Sequence, residues 1–284
     1  MPKERMAEPP RWLRLDNAAK IYPAARSRLW TPIFRLSLNM DETVDRALLQ
    51  RALESTLKRI PLFGYRLRHG LFWYYLDSQR ALPRVEDDVR NPCARMRLKR
   101  GGHFLFRLRV YDCRIAVEIF HSLADGTGGL TFLMTLAAEY VRLKYGPRVP
   151  ESGFILDLRK PPLPSEWEDS FLAHARRGVL KRREEKAYAL TGTPLMLGDL
   201  LLTTGLIEAD ALKRAAHGYG ATINVFLCAV LLKALLQVQK EDKRVGQRRR
   251  PVKLSMPVNL RKYYPSRTLR NFSSYFNASV NPTY

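Results

Sequence analysis

A strand–strand–turn–helix segment in the middle of the chain constrains the fold more than any other feature of the sequence. Residues 104–110 alternate mostly between apolar and other side chains, and residues 115–120 do so again after a turn at Asp112-Cys113. Alternation with a period of two predicts two neighbouring strands. The second strand runs into a glycine-rich turn, and apolar residues then recur at helical spacing over residues 130–141. The segment therefore predicts a mixed α/β fold in which a helix directly follows a sheet strand.

The remaining patterns place helices and strands along the rest of the chain. Asp41 is predicted to cap a helix with Glu42 in its first turn, and Pro61 ends that helix. The stretch after Thr222 is apolar on nearly all sides, which predicts a buried helix. Further predicted elements are strands at residues 31–38, 200–207, 252–257 and 272–280, a hairpin at 65–76, a basic helical stretch at about 166–189 and a helix at 208–217.

A proline-rich segment marks a predicted domain boundary. Three prolines fall within residues 161–164, a composition typical of a linker or crossover. We therefore predict a first domain over residues 1–160, which contains the glycine-rich turn, and a second over residues 161–284.

The charge balance predicts anionic partners. The 284 residues include 49 Lys plus Arg against 27 Asp plus Glu, for a net charge of +22. Such a field favours phosphorylated small molecules, acidic lipid or nucleic acid. No nucleic-acid-binding motif is present and the basic residues are spread along the chain, the densest patch being residues 176–186. We therefore expect no nucleic-acid partner and interpret that patch as the wet face of a helix.

Cysteine usage and the chain start indicate a cytoplasmic protein without a metal site. The three cysteines, Cys93, Cys113 and Cys228, lie far apart, and no Cys/His spacing suited to zinc is present. A sparse, odd number of cysteines fits a reducing compartment. Residues 1–14 have no apolar leader, and the most apolar run, residues 223–236, is too short to predict a transmembrane segment.

The segment from His121 to Gly126, HSLADG, is the motif most informative about function. His121 ends a predicted strand, so its side chain can be held rigidly beside a cleft. A neutral imidazole can take a proton from a hydroxyl or an amine as that group attacks a carbonyl carbon. Asp125 could orient the ring or the backbone, or pair with a distant arginine. The alternative interpretation is a packed histidine followed by a structural Asp-Gly turn.

These residues resemble the HxxxDG motif of the acyltransferases that share the chloramphenicol acetyltransferase fold. That superfamily includes alcohol O-acetyltransferases, plant-type acyltransferases and the condensation domains of nonribosomal peptide synthetases. Four further segments resemble family features in the same order along the chain, from about residue 30 to the end. They are residues 58–62 with Arg-Ile-Pro, residues 222–225, residues 257–261 ending in Arg261, and Asn271-Phe272.

The resemblance implies a two-lobed α/β fold whose lobes enclose a tunnel, with His121 at its middle as the general base. It implies that Asp125 is structural and forms an ion pair with Arg261, and that Gly126 is needed because side chains crowd the donor channel. It also implies a short acyl group, acetyl above all, carried by acyl-CoA as a co-substrate, with no permanently bound cofactor, and an alcohol or an amine as acceptor.

Two departures from the family pattern qualify the resemblance. Condensation domains usually carry two adjacent histidines, whereas Phe120 precedes His121 here, which favours an alcohol acetyltransferase over a peptide-synthetase module. Relatives also continue well beyond the Asn-Phe pair, so we expect a C-terminally truncated chain with an incomplete second lobe, or one completed by a partner chain. Under that expectation, a non-catalytic or condensation-domain-like module that binds a carrier protein is the alternative function.

Basic residues of the second half are the candidates for binding the CoA phosphates. Arg248 and Arg249 belong to the basic run 248–250, and Asn259 lies two residues before Arg261. These three residues are candidate substrate- or cofactor-binding residues. A solvated basic loop is the alternative interpretation of the arginine run.

Overall fold

The computed structural model divides the chain into two compact units. It describes residues 8–27, 30–96, 103–146, 149, 152–175, 184–193, 195–196 and 200–282. The first unit comprises Met1–Ala175, Met196–Leu200 and Leu260–Ser273, and the second comprises Arg176–Leu195, Leu201–Asn259 and Ser274–Tyr284. This division differs from the predicted boundary at residue 160, because the first unit runs further and includes a late segment of the chain.

A four-stranded mixed sheet forms the centre of the first unit. Its order is β2-β7-β6-β5, with β2 (Ile33–Asn39), β5 (Val85–Asp87), β6 (Phe106–Tyr111) and β7 (Arg114–Phe120). β7 runs antiparallel to β2 and to β6, so that Leu36 lies opposite Val117 and Val117 opposite Leu108. The strands predicted at 31–38, 104–110 and 115–120 are confirmed. Burial does not follow the predicted alternation in β7, where Ile115–Phe120 are all buried, as befits a central strand of the sheet.

Two helices pack on each other beside this sheet. They are α2 (Arg46–Arg59) and α3 (Gly126–Tyr145), and Leu49, Leu53, Phe132 and Leu136 between them are fully buried. The predicted cap of α2 at Asp41 is wrong. Asp45 caps the helix, because its backbone is extended and its carboxylate accepts from the Leu48 amide. The Val44 amide is bonded to the Asp112 carbonyl and not within a helix.

A second, three-stranded sheet completes the β structure of the first unit. Its order is β1-β4-β3, with β1 (Trp12–Arg14), β3 (Tyr65–His69) and β4 (Tyr74–Ser78), all antiparallel. The predicted hairpin at 65–76 is confirmed, with its second strand starting three residues later than residue 71. The short helices of this unit are α1 (Ile21–Ala25) and α4 (Ser170–His174).

The basic helix predicted at about 166–189 is wrong at both of its described ends. Within residues 167–175 and 184–189, only the five residues of α4 are helical. Residues 176–183, which hold most of the basic patch, lie outside the described residues. The strand predicted at 200–207 is also wrong, since these residues have no regular structure and most of their large apolar side chains are exposed.

The second unit contains three helices and a two-stranded sheet. Its elements are α5 (Ala209–Gly218), α6 (Ile223–Lys240), α7 (Val245–Arg248) and the paired strands β8 (Val252–Asn259) and β9 (Ser273–Val280). Thr222 caps α6 as predicted, since its side chain accepts from the Val225 amide. The helix is not buried as predicted: Val225, Leu227 and Leu231 are exposed. By length and composition alone α6 is the one described helix that could cross a membrane, a test that core helices also pass.

A buried carboxylate at the sheet edge predicts a specific acid dependence of stability. Asp88 accepts hydrogen bonds from Arg35 at 2.5 Å and from Arg114 at 2.8 Å. Burial raises the pKa of Asp88, but the hydrogen bonds and the arginine charges outweigh it and lower the pKa from 3.8 to about 2. A carboxylate whose pKa is lowered by folding stabilises the folded state above the unfolded pKa, and that stabilisation is lost as pH falls towards the folded value.

We therefore expect Asp88→Asn to flatten the decline in the free energy of unfolding between pH 3.8 and 2. Urea unfolding at a series of pH values measures this free energy for each protein. Asp87→Asn is the matched control, because the Asp87 side chain is 84% exposed in its pair with Arg46. If Asp88→Asn and Asp87→Asn decline with the same slope as the unmodified protein, the assignment to Asp88 is wrong.

Candidate active site

His121 lies where β7 ends and the turn into α3 begins. Its main chain continues the pairing with the edge strand, since the His121 amide donates to the Pro32 carbonyl at 2.8 Å. Residues 122–125 form the connection, and α3 starts at Gly126. Ser122 is buried and its hydroxyl donates to the Ala19 carbonyl at 3.0 Å. The strand end and the anchored turn thus fix the position of the His121 side chain.

The imidazole of His121 is packed between aromatic rings and held by one amide. The Tyr22 ring stacks on it with centroids 4.4 Å apart and planes at 19°, and the Phe34 ring lies at 4.9 Å. Nδ1 is 3.0 Å from the side-chain oxygen of Asn271. Over the residues that the structure describes, no hydrogen bond reaches Nε2. The side chain as a whole is partly buried.

Asp125 caps α3 instead of orienting the imidazole. Its Oδ1 accepts from the Gly128 amide at 3.1 Å, and its Oδ2 accepts from the Phe272 amide at 3.0 Å. The same Oδ2 accepts from Arg261 Nη1 at 2.7 Å, which is the ion pair that the family resemblance implies. Asp125 is 5% exposed. Its buried carboxylate connects the turn after His121 to the segment that contains Arg261 and Phe272.

Arg261 also ties its own segment together. Its guanidinium donates to the Thr268 carbonyl at 2.7 Å and to the Arg270 carbonyl at 2.6 Å. These bonds close the chain between residues 261 and 270 into a loop that presents Asn271 to His121. Arg261 and Asp125 thus join the turn after His121 to the segment of residues 261–272, and a role of either residue in positioning the imidazole stays a prediction.

Glycine is required in this turn at Gly128, whereas the prediction concerned Gly126. A Cβ at Gly126 would meet no heavy atom of the described residues within 4 Å, so side chains do not crowd that position. A Cβ at Gly128 would lie 1.9 Å from the Leu269 carbonyl oxygen. The close approach thus occurs at the backbone of the segment that follows Arg261, where only glycine fits.

A buried network behind the histidine was missed by the sequence analysis. Asp16 is fully buried, and its carboxylate accepts from the Ala19 amide at 2.8 Å. Asn271 Nδ2 lies 3.4 Å from the other carboxylate oxygen of Asp16, and Arg270 Nε lies 3.5 Å from it. Burial raises the pKa of Asp16, and the charge of Arg270 opposes that rise. No spacing signal connects residues 16 and 271, so only the fold brings them together.

The other predicted binding residues belong to the second unit. Asn259 ends β8, Arg248 ends α7, and Arg249 follows as the C-cap residue of α7. Arg249 is exposed and the other two are half-buried. Arg244, a further basic residue of this region, forms an ion pair with Asp242 at 2.5 Å. A role of Asn259, Arg248 and Arg249 in binding stays a prediction.

These elements define the fold class: the chain has the mixed α/β chloramphenicol acetyltransferase-like fold that condensation domains share, as expected from the resemblance. Three solved structures illustrate the likeness. Polyketide synthase associated protein 5 from Mycobacterium tuberculosis is 16% identical, with a TM-score of 0.62 over 95% of this chain and 68% of its own. The first condensation domain of the calcium-dependent antibiotic synthetase, in complex with a substrate analogue, is 20% identical, with a TM-score of 0.62 over 95% and 69%.

The third structure is F. graminearum TRI101 complexed with coenzyme A and T-2 mycotoxin. It is 13% identical, with a TM-score of 0.50 over 94% of this chain and 70% of its own. No family model matches this chain, and no curated protein matches it in sequence. Identities of 13–20% make this a likeness of fold.

Proposed function

We propose that this chain is an acyltransferase, which moves an acyl group from a thioester to a hydroxyl or an amine with His121 as the general base. The observation that carries the proposal is the imidazole itself. Its Nδ1 is held at 3.0 Å by a buried amide while Nε2 has no bond to a described residue. A rigidly placed base with one nitrogen available is what proton abstraction during acyl transfer needs.

In the proposed reaction, Nε2 of His121 takes the proton of the acceptor as its oxygen or nitrogen attacks the thioester carbonyl carbon. The attack forms a tetrahedral oxyanion. When the intermediate collapses, the carbon–sulfur bond breaks and the imidazolium returns the proton to the leaving thiolate. The products are an ester or amide and a free thiol, and the histidine ends in its starting state.

We favour acyl-CoA as the donor, acetyl as the acyl group and an alcohol as the acceptor. The net charge of +22 suits the phosphates of such a donor. The fold likeness to an F. graminearum protein that binds coenzyme A supports the same choice. Phe120 in place of a second histidine also supports it.

The second candidate is a condensation-domain-like module that uses or binds a thioester carried by another protein. The likeness to a condensation domain has a TM-score of 0.62, against 0.50 for TRI101, and this difference favours the alternative. Both candidates share the phosphopantetheine thioester, so they differ in whether that arm is attached to a nucleotide or to a carrier protein.

An assay with both donors separates the two candidates. The full chain is incubated with acetyl-CoA, or with an acetylated carrier protein, and a panel of simple alcohols and amines. Released thiol is measured with a chromogenic disulfide and the acylated product by mass spectrometry. Acceptor-dependent thiol release from acetyl-CoA supports the first candidate, and release from the carrier protein alone supports the second. Release from neither donor, with a folded protein, would contradict acyl transfer.

A further inference from the structure

The orientation of the Asn271 side chain determines what it can do to His121. Its Nδ2 lies 2.9 Å from the His121 carbonyl oxygen and 3.4 Å from a carboxylate oxygen of Asp16. Both neighbouring oxygens are hydrogen-bond acceptors. The group of Asn271 that faces them is therefore the amino group, which has two hydrogens to donate. Asn271 is 1% exposed, so its amide has to find its partners within the protein. The carbonyl oxygen Oδ1 is then the atom that faces the imidazole.

An amide flipped by 180° would face the same two acceptors with its oxygen. That arrangement would lose both hydrogen bonds and leave buried polar atoms unpaired, which is costly away from solvent. Asp16 strengthens this preference because its own position is fixed independently: Oδ1 accepts from the Ala19 amide at 2.8 Å, and Arg270 lies beside Oδ2. The carboxylate therefore presents Oδ2 to Asn271 and not a donor.

We propose that Asp16 and Asn271 set the tautomer of His121, with the hydrogen on Nδ1 and the lone pair on Nε2. An amide oxygen accepts only from a ring nitrogen that carries a hydrogen, and Asn271 Oδ1 is 3.0 Å from Nδ1. The lone pair is thereby left on Nε2, the nitrogen without a described partner. The assignment of the tautomer does not depend on the proposed function. Only the use of the Nε2 lone pair as the general base rests on it. Asp16 and Asn271 are positioning residues in it.

Nitrogen-15 NMR of histidine-labelled full-length protein tests the tautomer without any assay of activity. Spectra are recorded at about pH 8, where an ordinary imidazole is neutral, and the His121 resonances are those that vanish in His121→Ala. We expect the unmodified protein to show hydrogen on Nδ1. Hydrogen on Nε2 in the unmodified protein would overturn the proposal, whether or not any variant folds.

Asp16→Asn is the informative variant. The Ala19 amide keeps the oxygen of the new side chain on its own side, so an amino group replaces the carboxylate oxygen that faces Asn271. Asn271 is then pushed towards the flipped orientation, and we expect a larger fraction of His121 with hydrogen on Nε2. Asp169→Asn is the matched control, because it makes the same chemical change to a carboxylate whose charge reaches Asp16 but which caps α4 instead.

The activity assay then separates this proposal from the proposed function. If the chain is an acyltransferase, Asp16→Asn lowers kcat by about tenfold or more and leaves the KM of the acceptor unchanged, as a wrong tautomer does. Asp169→Asn changes neither. If the tautomer shifts as expected but neither the unmodified protein nor any variant transfers acyl groups, the positioning role of Asp16 and Asn271 is supported and the proposed function is wrong. If the His121 tautomer is unchanged in both Asp16→Asn and Asn271→Ala, these two residues do not set it, even where both variants keep full activity.

Discussion

Replacing His121 by alanine is expected to lower the rate of acyl transfer by about 10²–10⁴-fold, the usual contribution of a general base. The imidazole is the group at the end of β7 whose Nε2 is unpaired among the described residues. Alanine at the same position leaves the ion pair of Asp125 with Arg261 untouched, so the fold behind the site is kept. The loss of activity is therefore expected in kcat. The free energy of unfolding is expected to fall by about 1–3 kcal/mol, because the buried Asn271 Oδ1 loses its partner at Nδ1.

Thiol release and product formation measure the effect, and urea unfolding reports on stability. His69→Ala is the matched control, because His69 is exposed in β3 and contacts the Tyr74 ring. A His121→Ala protein that is folded and transfers acyl groups as fast as His69→Ala would exclude His121 as the base. An equal loss of acyl-transfer rate in His121→Ala and His69→Ala would also count against His121 as the general base, because the loss would then not be specific to this site.

The part of the site that the sequence predicted is local in the chain. Alternation in residues 115–120, the histidine at the strand end and an aspartate before a helix are patterns within ten residues, and the structure has all three. The pairing of Asp125 with Arg261 spans 136 residues, and only the family resemblance anticipated it. Local patterns thus located the candidate site residues near His121, while the pairing of Asp125 with Arg261 was expected only from similarity to known proteins.

The contacts that sequence reasoning missed are those that arise from packing. Asn271 was named only through the family resemblance and Asp16 was not named at all; the two lie 255 residues apart, and no periodicity links them. The cap of α2 illustrates the same limit on a shorter scale. Asp41 and Asp45 are equally good caps by residue type. Two tertiary hydrogen bonds select Asp45: its own amide donates to the Tyr140 hydroxyl, and the Val44 amide donates to the Asp112 carbonyl. Propensity ranks such alternatives but does not decide between them.

The apolar helix α6 shows a different failure. Its composition predicts burial, yet Val225, Leu227 and Leu231 are exposed and Leu232 is among the few buried residues of the helix. An apolar helix face is favoured to be buried, but its hydrophobicity does not identify the surface against which it packs. The prediction failed because burial depends on other elements, and the sequence pattern of a single helix contains no information about them.

Replacing Gly128 by alanine is expected to destabilise the protein by about 3 kcal/mol or more, at the upper end of overpacking substitutions. The new Cβ would lie 1.9 Å from the Leu269 carbonyl oxygen and 2.9 Å from its carbonyl carbon. Both atoms are backbone, so no side-chain rotation relieves the clash. The segment that follows Arg261 has to move away from α3, and Asp125 and Asn271 lose their partners on the opposite side.

The free energy of unfolding from urea denaturation measures this effect, with Gly126→Ala as the matched control. Alanine at Gly126 meets no heavy atom of the described residues within 4 Å, so that variant is expected to lie within about 1 kcal/mol of the unmodified protein. The two glycines stand two residues apart in the first turn of α3. Gly126 is exposed, whereas a Cβ at the buried Gly128 would meet the Leu269 backbone and, at 3.1 Å, the Ala124 Cβ. A Gly128→Ala protein as stable as Gly126→Ala would mean that the segment from Arg261 to Asn271 does not pack against α3, and the anchoring of His121 through Asn271 would fall with it.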